Sequence, residues 1–159
     1  MQAFVLRIAP SEIDRVPEAL ENNQLIIGWA DAEGLLDDQL DWAAFRQVVR
    51  DSYYRDDETL HRAGAAAGHM WRFIREMARG DLVVVPYGSN FYVAEVAGDA
   101  IYLPEKSSED SAYRRPVNWL NAKQPIPRAY EKSALISRMK VQGTSASATD
   151  LLDEIRECL

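Results

Sequence analysis

The order of secondary-structure signals along the chain predicts an α+β domain built on a small curled sheet or partly open β-barrel flanked by helices. Two observations carry this. Two strand patterns precede a pair of helical segments, and the strands that follow are joined by short turns as consecutive antiparallel neighbours. Helices do not alternate with these later strands, as a doubly wound parallel sheet would require. At 159 residues the chain can bury one continuous core without disulfides or structural metal.

The first strand spans Gln2 to Ile8, where Phe4, Leu6 and Ile8 alternate with Ala3, Val5 and Arg7. Ser11, with Asp14 three residues on, approximates a capping box and opens a short helix along Ile13, Val16 and Leu20, whose regularity Pro17 limits. A second strand covers Gln24 to Trp29, and a polar loop runs from Ala30 to Asp38. Asp41 caps a helix to about Tyr53, with Trp42, Phe45, Val48 and Val49 at helical spacing. A further helix from Leu60 to Ala78 carries Met70, Trp71, Ile74 and Met77 on one face, and Gly80 stops it. The spacing predicts that Trp42 and Trp71 are both buried.

The strand Asp81 to Tyr87, the turn at Gly88 to Asn90 and the strand Phe91 to Val96 form a hairpin. Ala100 to Leu103 and Tyr113 to Leu120 complete a four-stranded meander around the charged loop Pro104 to Asp110. A short helix from Glu131 to Met139 ends the domain, which spans 1–142. Residues 143–159 read as a linker and a terminal helix that leads into a further C-terminal domain.

Composition excludes several functions. The single cysteine, Cys158, leaves no pair for a disulfide and no cluster for zinc, so no metal or cofactor is expected. The N-terminus carries no signal-peptide pattern, and no apolar run approaches a membrane helix, so a cytoplasmic location is expected. Phosphate-cradling glycine motifs, HExxH and GxSxG are missing. Asp81 and Glu95 resemble the carboxylate pair of a metal-dependent nuclease, but Ala97 stands where such a site has its lysine. Asp81 therefore reads as a structural polar residue after a helix-ending glycine, and His69, beside Trp71, as packing rather than a proton shuttle.

A net charge of −7 argues against nonspecific coating of nucleic acid, which depends on lysines and arginines displacing counterions. Acidic residues run through Ser11 to Leu60, with only Arg15, Arg46, Arg50 and Arg55 to offset them. Between Ser111 and Lys140 the balance reverses, and Arg114, Arg115, Lys123 and Arg128 are the candidate phosphate contacts. Trp29 ends an apolar strand at a sheet rim, and Tyr102 lies in a short strand of the meander. Two such rings could sandwich a planar base, each face contributing about 1–3 kcal/mol. Ordinary rim packing is the competing reading.

The succession Phe4-Val5-Leu6-Arg7-Ile8, Ile27-Gly28-Trp29, Gly80-Asp81-Leu82-Val83-Val84-Val85-Pro86, Phe91 to Val96, Arg115 to Leu120 and Ile126-Pro127-Arg128 resembles the PUA-like superfamily, in particular its EVE and YTH branches. The resemblance covers Met1 to Lys140. It implies a small barrel that holds a modified base in an aromatic pocket, with Trp29 as a cage tryptophan, Asp31 as a polar base contact and Tyr102 as the second aromatic, where the family often has tryptophan. Trp119 then matches a structural tryptophan. Related domains stand at the N-terminus of Mrr-type modification-dependent restriction endonucleases, which implies modified DNA as partner, a nuclease domain elsewhere in the full-length protein, and no catalysis by this chain. The alternative is a protein-interaction or regulatory domain that docks a basic partner on its acidic half.

Overall fold

The computed structural model describes residues 1–128 and 133–159. The strands are β1 (Ala3–Leu6), β2 (Gln24–Ile27), β3 (Leu82–Tyr87), β4 (Asn90–Val96), β5 (Ile101–Tyr102), β6 (Tyr113–Trp119), β7 (Ile126–Pro127) and β8 (Ser145–Ser147). The helices are α1 (Val16–Asn22), α2 (Trp42–Tyr53), α3 (His61–Trp71), α4 (Ser133–Met139) and α5 (Leu152–Glu157). The architecture is α+β, a strongly curled, half-barrel mixed sheet flanked by helices, with strand order β2-β6-β4-β3-β1-β8. β1 and β3 are parallel, with Phe4 opposite Val83, and the other pairings are antiparallel.

β6 turns the corner of the half-barrel. Its first part, Tyr113 to Pro116, pairs with β2, and its last part, Val117 to Trp119, pairs with β4. The meander differs from expectation, because β5 continues β4 along the same edge of β6. Ala97 to Ala100 stand opposite only Arg115 and Pro116. Extra residues on one strand bend it, as a bulge does. Gly98 makes room for the bend, since a Cβ there would lie 3.3 Å from Pro116 Cγ.

Side chains alternate across the sheet into two cores. Phe4, Leu6, Val83, Val85, Ala94 and Val96 meet Val16, Phe45, Val49, Met70 and Phe73 on one face. Ala3, Val5, Leu82, Val84, Phe91 and Val93 meet Leu135, Met139, Leu151 and Ile155 on the other. Cover on both faces explains why β3 is an unbroken apolar run. The segment read as a linker, Gly143 to Ser147, and the terminal helix after it pack on this same sheet. β8 pairs with β1, placing Ala146 opposite Val5, and Ile155 of α5 is fully buried. Arg72 and Arg138 donate to the carbonyls of Ser145 and Ser147, which blunts the edge of β8.

The helices follow their sequence signals where backbone chemistry permits. Asp41 caps α2 by accepting from Ala44 N–H at 2.8 Å. Ser11 lies in a single 3-10 turn, Pro10–Glu12, and no α-helix starts there. Proline is tolerated only in a first turn, so the presence of Pro17 delays α1 to Val16, whose N–H is capped by Asp14 at 2.9 Å. α3 passes into a π-helical turn, Arg72–Glu76, and stops there rather than at Gly80. Trp42 is 38% exposed, contrary to its spacing, and meets half-buried Trp71 edge-on at 5.6 Å. The predicted start of the next helix, Glu131, lies outside the described residues. No helix among the described residues is long and apolar enough to cross a membrane.

Candidate nucleobase-binding site

β1 and β2 do not pair, so the half-barrel has an open seam. A cavity of about 660 Å³ lies there, lined by Arg7, Pro10, Ser11, Trp29, Tyr53 and Asp110 among others, with Gly143 and Thr144 also in its wall. Gly28 draws the two chain segments together. A Cβ at that position would come 3.0 Å from Asp110 Oδ2 and 3.3 Å from Pro10 Cβ.

The backbone at this seam is strained. Ser11, Glu12, Trp29 and Asp110 all line the cavity and all have left-handed φ, between 54° and 64°. Such conformations cost free energy for residues other than glycine and persist only where neighbours enforce them, typically at ligand sites. Asp110 supplies much of that enforcement. Its Oδ1 accepts from Ala30 N–H at 2.8 Å and its Oδ2 from the Ser11 hydroxyl at 2.7 Å, joining three loops.

Trp29 is half-buried, and its indole N–H donates to Tyr54 Oη at 3.4 Å. One side of the indole is stacked on the His69 imidazole, with centroids 6.0 Å apart and planes at 14°. Tyr53 Oη accepts from Asp31 N–H at 2.9 Å. Burial, with Asp110 and Asp31 nearby, pushes the Tyr53 phenol well above its ordinary range, so it remains a hydrogen-bond donor. Arg7 donates to the carbonyls of Gly143 at 2.9 Å and Met139 at 2.8 Å, placing a cation on the cavity wall.

Of the residues expected to hold a base, the structure brings only Trp29 into the cavity. The Asp31 side chain is exposed and outside the lining; its backbone serves to fix Tyr53. Tyr102 lies outside the cavity lining. The register sets it opposite Tyr113, the rings meet at 4.8 Å, and its hydroxyl donates to Ala30 O at 3.0 Å. Tyr53 lines the cavity instead.

The phosphate candidates divide. Arg114 is 1% exposed and binds Glu18, Gln24 and Ser111, while Arg115 is 3% exposed and donates to the carbonyls of Phe73 and Ile74. Neither can reach a phosphate. Successive residues of a strand point to opposite faces, so the burial of both arginines means that both faces of β6 are covered there. Lys123 is exposed, donating to Leu20 O, and Arg128 is partly buried against Asn90 O. Asp81 accepts from the N–H groups of Gln2 and Ala78, both at 2.9 Å, so its two oxygens serve the backbone.

Tyr53 and Asp110 escaped the sequence reading, and His69 was read there only as packing beside Trp71. Tyr53 extends the Phe45–Val49 stripe by four residues and therefore reads as core. Asp110 and His69 act on partners 80 and 76 residues away, so local pattern carries no trace of them. Among the described residues there is no cluster of three or more histidine, cysteine or acidic side chains fit for a metal.

No curated protein and no solved structure matches the chain. Residues 9–140 match the family described as Domain of unknown function (DUF8426), a span that holds the cavity lining except Arg7, Gly143 and Thr144. The match covers most of the chain, which belongs to the DUF8426 family.

Proposed function

We propose that this chain is a PUA-like base-reading domain that takes one modified, flipped-out DNA base into the seam cavity. It serves as the specificity module of a restriction system, with cleavage assigned to a separate nuclease domain. The observation that carries this reading is Trp29, a half-buried indole held in a left-handed backbone conformation on the wall of a 660 Å³ cavity. That volume lies within the range of small-molecule sites and accommodates a base with its modification.

The surrounding chemistry suits a heterocycle. Tyr53 offers a second aromatic surface and a neutral hydroxyl, and Ser11 and Thr144 add hydroxyls at the wall. Pre-organised groups of this kind read a flipped base through its edge and its π-face. With net charge −7 and two of its arginines buried in β6, the domain has little to gain from phosphate contacts alone.

The test is a comparison, at one fixed salt concentration, of short DNA duplexes carrying 5-methylcytosine, 5-hydroxymethylcytosine, N6-methyladenine or no modification. The reading expects one modified duplex to bind at least about tenfold more tightly than the unmodified one, a difference of about 1.4 kcal/mol. Equal affinity for all four would overturn it.

A further inference from the structure

His69 is outside the cavity lining, yet it touches two of the walls. Its ring lies parallel to the Trp29 indole on one side. Its Cε1 and Nε2 face Gly143, where an added Cβ would lie 3.1 Å from both atoms. Gly143 has φ of 104°, so the loop before β8 bends around this ring in a conformation that favours glycine.

The hydrogen bonds fix which ring nitrogen carries the proton. Nδ1 accepts from Ser145 N–H at 3.2 Å. Ser145 Oγ lies 2.8 Å from the same nitrogen and itself accepts from Arg72 Nη1 at 2.9 Å, which leaves its hydroxyl hydrogen to point at Nδ1. Nδ1 is thus the acceptor and Nε2 holds the proton in a neutral ring. Burial and the adjacent Arg72 lower the tendency of the ring to take a second proton.

We propose that His69 is the positioning residue of the cavity: by stacking behind Trp29 and accepting from Ser145, it sets the spacing between the Trp29 wall and the Gly143–Thr144 wall. That spacing determines how large a substituent on the base the cavity admits. The role deepens the base-reading function and rests on it. A side chain that meets one wall but not the other cannot hold the distance between them.

Two substitutions separate the halves of this role. His69→Asn keeps an acceptor near Ser145 and removes the ring behind Trp29. His69→Phe keeps a ring and removes the acceptor. Each variant, and wild type, is measured for the ratio of its affinities for the 5-methylcytosine, 5-hydroxymethylcytosine, N6-methyladenine and unmodified duplexes. In the absence of DNA, the Trp29 indole N–H resonance, assigned by its loss in Trp29→Phe, is recorded for each variant.

Both variants are expected to lose about 5- to 10-fold of the modified-over-unmodified ratio, part of the value of one stacked face. His69→Asn is expected to shift the indole resonance, and His69→Phe to leave it closer to wild type. Folded variants with the wild-type ratio and the wild-type resonance would overturn the proposal. Gly143→Ala, which leaves α3 intact and pushes a methyl onto the imidazole, provides the same readouts if both His69 variants fail to fold. Wild-type protein that binds all four duplexes equally would sink the base-reading function alone, and the DNA-free resonance would still decide whether His69 positions Trp29.

Discussion

Arg114 Nη2 lies 2.8 Å from Glu18 Oε2, joining β6 to α1 with the arginine 1% exposed. The same guanidinium also donates to Ser111 O and Gln24 Oε1, so its charge is paired and its N–H groups are largely satisfied inside the fold. Removing the arginine leaves Ser111 O and Gln24 Oε1 without their donor, at a typical cost of about 1–3 kcal/mol for a buried group, while partly exposed Glu18 can turn to water. Arg114→Ala should therefore lower unfolding free energy by about 1–3 kcal/mol in urea denaturation. Its effect on the salt dependence of DNA binding by the folded protein should be nil. A stable Arg114→Ala protein with weakened binding would return this residue to the phosphate surface.

Trp29→Ala should reduce affinity for the preferred modified duplex by about 1–3 kcal/mol, the value of one stacked aromatic face. Tyr102→Phe removes the hydroxyl that donates to Ala30 O and lies 3.5 Å from Glu33 Oε1, and Tyr102→Leu removes the ring as well; both should leave affinity near wild type, because the ring rests on Tyr113 and not in the cavity. Titration by fluorescence anisotropy compares the variants. A larger loss for Tyr102→Leu than for Trp29→Ala would reinstate Tyr102 as a wall.

Lys123 and Arg128 are the expected phosphate contacts that the structure leaves toward solvent. Neutralising either should weaken binding to modified and unmodified duplexes by a similar factor, since phosphate contacts position without reading sequence. Each loss should also reduce the slope of log affinity against log salt by about 1. An unchanged slope in the double Lys123→Ala, Arg128→Ala variant would place the phosphate track elsewhere.

Acid should destabilise the protein in two stages. His69 in the folded protein titrates below its ordinary value, for burial and Arg72 oppose its charge. The unfolded chain therefore takes up that proton first, and stability falls as pH drops below about 6.5 until the folded value is passed. Asp57 and Asp150 are held low by hydrogen bonds from Arg62 and Arg138. Their contribution is present above the ordinary carboxylate range and is lost as pH falls through their lowered values. Denaturation midpoints measured across pH should show the first stage flattened in His69→Asn and the second in Asp57→Asn, Asp150→Asn. A first stage that survives His69→Asn would assign it to another group.

The sequence by itself determined the elements whose signals are local. The Asp41 cap and the apolar stripe of α2 depend on residues within one or two turns, and the β3–β4 hairpin depends on its own turn. Trp119, given a structural role only by the family resemblance, is buried with its indole N–H on Ala19 O at 3.1 Å. Trp29 was legible as a rim residue because a strand ends and a loop begins beside it. Tertiary structure alone decided the rest. Periodicity reports exposure only where a strand has a solvent face, and β6 has none around Arg114 and Arg115. Tyr53 and not Tyr102 lines the cavity because the β5–β6 register turned one ring onto Tyr113, while the end of α2 placed the other at the seam. Asp110 and His69 joined the site through hydrogen bonds to Ala30 and Ser145, 80 and 76 residues distant. Contacts across such separations exist only once the sheet has curled, so no window of sequence encodes them.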